Sequence, residues 1–315
     1  SAFLLNRSSD LLDWAPPREI AVPSGNDLFL LDKELKAAAP APTPGAASLR
    51  IAGFVPFSTV DWPGKLVASV FAQGCPFRCP YCHNYEILDP RTPGQVDFGE
   101  VTDLLRRRRG LLDGGVFSGG EAMMQAAPPR SSSGSSTSAD SALGRALAEV
   151  KQLGFQTGLH AAGGYPNWLE GLLEAGLVDW VGLDVKALPD QYEYITGSPI
   201  AHRKVEESLA ALARHPEVDH EVRLTLWPGL LRAPGVPFTA DIVEPEAAGR
   251  LLLDYADRVA RWSHARGAKK FALQRFQTQT VQEKALGENI PKVTWDEEEA
   301  TFMLQQVGFD WIQVR

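Results

Sequence analysis

From Leu49 onward the chain alternates short apolar runs with longer amphipathic ones, a rhythm few folds can satisfy. The runs 66–72, 115–117, 155–159, 180–183, 221–226, 270–274 and 311–314 are mostly β-branched or aromatic and bounded by Gly, Asp or Pro, so they read as strands. Between them, 98–109, 141–153, 168–175, 204–214, 245–265 and 296–307 read as helices. Their apolar residues recur at spacings of three and four, as in Leu209, Leu212 and Ala213, or Leu251, Leu252, Tyr255 and Val259. Strand–helix alternation with short connections implies right-handed crossovers and a parallel sheet. Six or so such units in one domain imply an α/β barrel or partial barrel, whose ligands bind at the C-terminal ends of the strands.

Outside that rhythm the chain is less regular. Residues 1–48 read as an N-terminal extension, with a short helical stretch near Trp14 and an Ala/Pro/Thr linker over 37–47. The main domain is expected over 49–315, interrupted by a serine-rich, low-complexity loop over 126–139 that has little apolar surface to bury. A net charge of −8 makes the chain as a whole a poor electrostatic partner for nucleic acid. No apolar run has the length of a membrane span, and the first residues lack the basic start and apolar core of a secretory signal. The chain opens at Ser1 rather than at a methionine, as a processed or trimmed product would. The only three cysteines lie together, an odd number unsuited to a disulfide framework, and the expected location is the reducing cytoplasm.

Those cysteines are Cys75, Cys79 and Cys82, spaced Cys-x3-Cys-x2-Cys directly after the first expected strand. Thiolates so close in sequence can converge on one soft metal centre, and three of them leave a coordination position open. A structural zinc knot is the plainer alternative, with His83 or a distant residue as fourth ligand. His83 adjoins Cys82, and neighbouring residues rarely both reach one tetrahedral ion, so an iron–sulfur cluster is the preferred reading. One strand later comes Ser118-Gly119-Gly120-Glu121. Two glycines there let backbone approach a ligand, and Glu121 can accept hydrogen bonds from an ammonium group. An ordinary strand-to-helix turn is the alternative.

Taken together, the cysteine motif with Tyr81 inside its last spacing, followed by Ser-Gly-Gly-Glu, resembles the radical S-adenosylmethionine superfamily. The stretch from Gly53 to Lys65 running into Gly74–Asn84, and the later Val178–Ala187 with Tyr194-Ile195-Thr196-Gly197, are similar to the activating proteins of anaerobic ribonucleoside-triphosphate reductase. The similarity spans about residues 50–230. The resemblance implies a partial (β/α)6 barrel in which three cysteines hold a [4Fe-4S] cluster. It also implies S-adenosylmethionine on the fourth iron and reductive cleavage to methionine and a 5′-deoxyadenosyl radical. In activases of this type that radical takes a hydrogen from a backbone glycine of a glycyl-radical enzyme, and a flavodoxin or ferredoxin supplies the electron. Carried over by position, Cys75, Cys79 and Cys82 become cluster ligands. Tyr81 lies near the adenine, Ser118, Gly119, Gly120 and Glu121 receive the methionine amino group, and Asp184 and Lys186 line the cofactor pocket.

Two departures stand out. The family's proline after Gly-Gly-Glu is replaced by Ala122-Met123, which removes a rigid turn. Where relatives often carry Asp-Thr-Asn-Gly, this chain has His160-Ala161-Ala162-Gly163, so His160 either faces the cofactor or serves the packing. The run Arg106–Arg109 reads as a solvated face at a helix end. The expected function is a radical activase acting on a protein partner. The alternatives are a radical enzyme on a small molecule, like the carboxydeazaguanine synthases, a family member that no longer cleaves the cofactor, and a zinc-stabilised binding module.

Overall fold

The computed structural model describes residues 49–129, 136–237, 244–278 and 290–315. The expected extension over 1–48 lies outside them. Eight strands form one sheet in sequence order: β1 (Ile51–Ser58), β2 (Val67–Ala72), β3 (Gly114–Gly119), β4 (Gln156–Ala161), β5 (Trp180–Asp184), β6 (Asp219–Leu226), β7 (Lys270–Arg275) and β8 (Trp311–Val314). From β2 to β8 every neighbouring pair is parallel. The seven expected strands are present within a few residues of their expected ends. β1, which pairs antiparallel with β2, was not among them. Its sequence, IAGFVPFS, carries a Gly and a Pro and keeps no simple alternation, and its pairing is broken by two register shifts.

The helices are α1 (Phe98–Arg107), α2 (Ala142–Gln152), α3 (Pro166–Glu174), α4 (Tyr192–Thr196), α5 (Ala201–Arg214), α6 (Pro245–His264) and α7 (Glu297–Gln305). Their starts are chemically marked. Asp97 accepts from Gly99 N–H while Glu100 reaches back to the Asp97 N–H, and Ser141 accepts from Gly144 N–H. The short α4 ends on Gly197 in the left-handed region at φ 72°, a conformation that costs a Cβ-bearing residue energy. Strand β2 is buried along its whole length, as expected of a strand covered on both faces.

The expected loop over 126–139 is narrower than its composition implies. Ala126 and Ser138 are buried, and Ser138–Asp140 forms a 3-10 turn leading into α2. Small residues pack where large ones cannot, and low complexity conceals that. The middle of this stretch, 130–135, lies outside the described residues.

Side chains from the C-terminal ends of β3 through β8 reach one shared cavity. Strands lie about 4.8 Å apart, so these six laid flat would place β3 and β8 roughly 24 Å from one another. A common cavity therefore requires the sheet to curl, which makes the fold the expected partial barrel. Beneath the cavity, Trp62 from the β1–β2 connection stacks on Trp180, ring centroids 5.3 Å apart.

Candidate functional site

The cavity at the strand ends has a volume of about 490 Å³. Cys75, Cys79 and Cys82 line it together with Tyr81, Ser118, Gly119, Gly120, Glu121, His160, Asp184 and Lys186. The residues that the resemblance assigned to the site thus meet around one cavity, although the stretch from Cys75 to Lys186 covers six elements of the chain.

The cysteine loop is fastened at both ends. Gly74 and Cys75 N–H donate to the carbonyls of Ile87 and Leu88, and Gln73 Nε2 donates to those of Ile87 and Asp89. Arg78 Nη1 donates back to the Cys75 and Phe77 carbonyls, and Arg78 N–H donates to Thr196 at the end of α4. Asn84 Nδ2 ties the far end of the loop to the Gly119 carbonyl of β3. All three thiols are free of disulfides. Burial pushes the Cys75 thiol well up, helped by the Glu121 carboxylate, and pushes Cys79 up to about 11 against the pull of Lys186. Thiols so buried give up their protons only to a positive centre, as metal binding provides.

Cys75, Cys79 and Cys82 all line the same cavity. Three soft thiolates with no further cysteine in the chain suit an iron–sulfur cluster, whose ligands attach at separate corners and can leave one corner open. The donor set therefore fits the iron–sulfur group.

Gly119 and Gly120 allow close packing between the end of β3 and the cysteine loop. Gly119 sits at φ 122°, and a Cβ there would lie 2.3 Å from the backbone nitrogen of Ala72. A Cβ on Gly120 would lie 2.3 Å from the Gly74 carbonyl oxygen and 3.1 Å from Cys75 Cβ. A Cβ at either position would meet the backbone that leads into or forms the cysteine loop, and the backbone of both residues also lines the cavity. Gly120 N–H donates to the Ala72 carbonyl and Glu121 N–H to the Gly74 carbonyl, so the two loops interlock.

Glu121 is wholly buried, and both its oxygens meet backbone. Oε1 accepts from Met123 N–H at 3.1 Å and Oε2 from Ala162 N–H at 2.7 Å. It caps the 3-10 turn Ala122–Gln125 and staples the end of β3 to that of β4. Burial raises its carboxyl to about 7, against the two N–H donors.

His160 on β4 is buried between two partners. Its Nε2 lies 2.6 Å from the Asp61 carbonyl oxygen and its Nδ1 3.1 Å from Ser118 Oγ, and the ring meets Trp180 edge-on. Burial first, then the Arg223 charge, lowers it to about 3.

Asp184 Oδ1 accepts from Arg223 Nε at 2.9 Å, and Oδ2 lies 3.4 Å from Lys186 Nζ. Burial works against charge on Asp184 and on Lys186. The two cations nevertheless hold Asp184 below the usual carboxylate range, and Asp184 with the nearby thiols holds the Lys186 ammonium well above its usual value. These are therefore not a surface ion pair. Tyr81 packs its ring on Trp227, centroids 5.6 Å apart, and burial raises its hydroxyl.

Sequence reasoning missed Arg223, whose side chain is 2% exposed, and Arg315, which pairs with Glu221 at 3.1 Å. The signal was present in Glu221-Val222-Arg223-Leu224-Thr225. Strict polar–apolar alternation in a strand of a closed sheet puts the polar set inside the barrel.

Comparison with known proteins agrees with this geometry. A family model described as the Radical SAM superfamily matches residues 69–232, just over half of the chain. A Methanocaldococcus jannaschii protein named as a glycyl-radical enzyme activating enzyme is 30% identical over 146 residues, covering 45% of this chain and 52% of its own. The pyruvate formate-lyase-activating enzyme of Clostridium pasteurianum is 34% identical over 154 residues, 47% of this chain and 57% of that one. The chain thus spans about half the length of these curated relatives. In fold, the crystal structure of Streptococcus suis SuiB bound to precursor peptide SuiA superposes on 78% of this chain and 48% of its own at a TM-score of 0.50, with 11% identity.

Proposed function

Because the chain belongs to the Radical SAM superfamily, whose cofactors are a [4Fe-4S] cluster and S-adenosylmethionine, we propose that it is a glycyl-radical-enzyme activase. Its protein partner is an anaerobic ribonucleoside-triphosphate reductase or a relative, and a flavodoxin or ferredoxin donates the electron. The observation that carries the reading is the meeting of Cys75, Cys79 and Cys82 with Ser118, Glu121, Asp184 and Lys186 around one cavity at the strand ends. Relatives at 30% and 34% identity named as activating enzymes support the choice of an activase. When bound, the cofactor pair supplies reductive cleavage of the sulfonium and the carbon radical that follows.

The chain's own residues do the rest. The three cysteines hold the cluster, and the buried Lys186 ammonium offsets their negative charge. The interlocked backbones of 72–75 and 119–121 fix the cysteine loop against the cofactor side of the cavity. Tyr81, Phe77 and Leu88 present apolar surface that excludes water. The polar half of the cavity, with Thr225, Gln274 and Arg315, favours a second reading in which the hydrogen donor is a small polar molecule.

Anaerobic reconstitution followed by iron, sulfide and 5′-deoxyadenosine assays tests the proposal. Four irons with matching sulfide per chain, and 5′-deoxyadenosine formed stoichiometrically with a glycyl radical on added partner, are expected. Cys79→Ala should lose both cluster and cleavage. Zinc without sulfide would end the radical reading. Cleavage that no glycyl-radical protein stimulates, but a small substrate does, would favour the second.

A further inference from the structure

The contacts of His160 fix which way the hydrogens point along a buried chain. Its Nε2 faces a backbone carbonyl at 2.6 Å, and a carbonyl only accepts, so Nε2 carries a hydrogen. Burial first, then the neighbouring Arg223 guanidinium, disfavours a second proton on the ring, against the opposing pull of Asp61. A neutral imidazole with Nε2–H leaves Nδ1 bare, as an acceptor. Ser118 Oγ, 3.1 Å from Nδ1, must then donate its single hydrogen to it. The hydroxyl oxygen is left with lone pairs only, beside the Glu121 carboxylate on the cavity wall.

The carbonyl that starts this chain is held firmly. Ser58 Oγ accepts from the N–H groups of Val60 and Asp61, Ser69 Oγ donates to Asp61 Oδ2 at 2.6 Å, and the adjoining Trp62 stacks on Trp180. The ring itself is wedged edge-on against Trp180.

We propose that His160 is a positioning residue that makes Ser118 an obligate hydrogen-bond acceptor at that point of the cavity, so that the wall there favours a ligand's hydrogen-bond donor, which in S-adenosylmethionine would be the ammonium of its amino-acid moiety. The inference rests on the reading that S-adenosylmethionine occupies the site. It assigns to the histidine that replaces the relatives' carboxylate a role acting through Ser118, without contact to the ligand.

The test has two arms. Nitrogen-15 NMR of histidine-labelled reconstituted protein, with the His160 signals identified by their loss in His160→Phe, should show Nε2 protonated and Nδ1 bare. Anaerobic calorimetry should then compare S-adenosylmethionine with 5′-methylthioadenosine, which keeps the nucleoside and lacks the amino-acid moiety. Ser118→Ala and His160→Phe should each weaken S-adenosylmethionine roughly tenfold, the loss expected for one hydrogen bond to a charged group, and leave methylthioadenosine unchanged. The double variant should be no weaker than either single one. Additive losses near a hundredfold, or equal losses for both ligands, would overturn the proposal. Should His160→Phe not fold, Ser118→Ala identifies the histidine through its changed Nδ1 shift, and an Nδ1–H tautomer would by itself overturn it. Failure of the wild-type protein to bind S-adenosylmethionine at all would overturn the underlying reading as well, whereas the wrong tautomer removes this inference alone.

Discussion

Replacing Gly120 by alanine sets a methyl group against the backbone of the cysteine loop. The new Cβ would stand 2.3 Å from the Gly74 carbonyl oxygen, 2.7 Å from its carbon and 3.1 Å from Cys75 Cβ. The obstacle is backbone, so no side chain can swing aside. Relief to an ordinary contact requires about 1 Å of separation between the two loops. The Glu121 N–H to Gly74 carbonyl bond, 2.8 Å long, stands in the way of that movement. Overpacking a rigid site costs about 1–3 kcal/mol, and losing one backbone hydrogen bond about 1 kcal/mol more. A total near 3 kcal/mol corresponds to a melting temperature lower by roughly 6–12 °C for a domain of this size. Because the loop that moves carries Cys75, iron and sulfide content after reconstitution should fall in the same variant. Gly154→Ala is the control: φ there is +88° but nothing lies within 4 Å, so only the backbone penalty of about 1 kcal/mol applies. Thermal unfolding by circular dichroism and iron–sulfide analysis of both variants decide the matter. A Gly120→Ala protein that melts with the wild type and holds full iron, yet binds S-adenosylmethionine weakly, would refute this account and restore the view that the glycine makes room for a ligand.

Glu121→Gln should lower stability by about 1–3 kcal/mol, since an amide NH2 must then face one of the two backbone N–H donors that the carboxylate accepts; chemical denaturation that shows no change would place the staple elsewhere. His160 should contribute a loss of stability as the solution is acidified from about pH 6.5 towards about pH 3, because the unfolded residue takes up a proton that the folded ring, buried and facing Arg223, refuses despite the opposing pull of Asp61. The slope is on the order of 1.4 kcal/mol per pH unit, and it should be the part of the acid limb that disappears in His160→Phe; identical slopes in the two proteins would contradict the buried neutral ring.

Much of the fold was legible because local chemistry repeats. Seven strands and six helices announced themselves through periodicity and through caps such as Asp97 and Ser141. The antiparallel β1 did not, because its interrupted sequence carries no period and its place comes from pairing with β2. Cys75, Cys79 and Cys82 were legible because a metal centre needs several soft ligands within reach, and close spacing supplies them without help from the rest of the fold. Alternation along β6 could place Arg223 inside the sheet, but not its partner, because Asp184 lies on the neighbouring strand at the same register and only strand pairing brings the two together.

What the sequence determined by itself was the class of chemistry and the end of the sheet where it sits, since both follow from residue type and local spacing. What only the tertiary structure decided was the work of each polar group. Ser118 meets the Nδ1 of His160, Glu121 staples backbone, and Gly120 packs against the Gly74 carbonyl. Each of those roles is set by an atom tens of residues away that the curl of the sheet brings within a few ångströms.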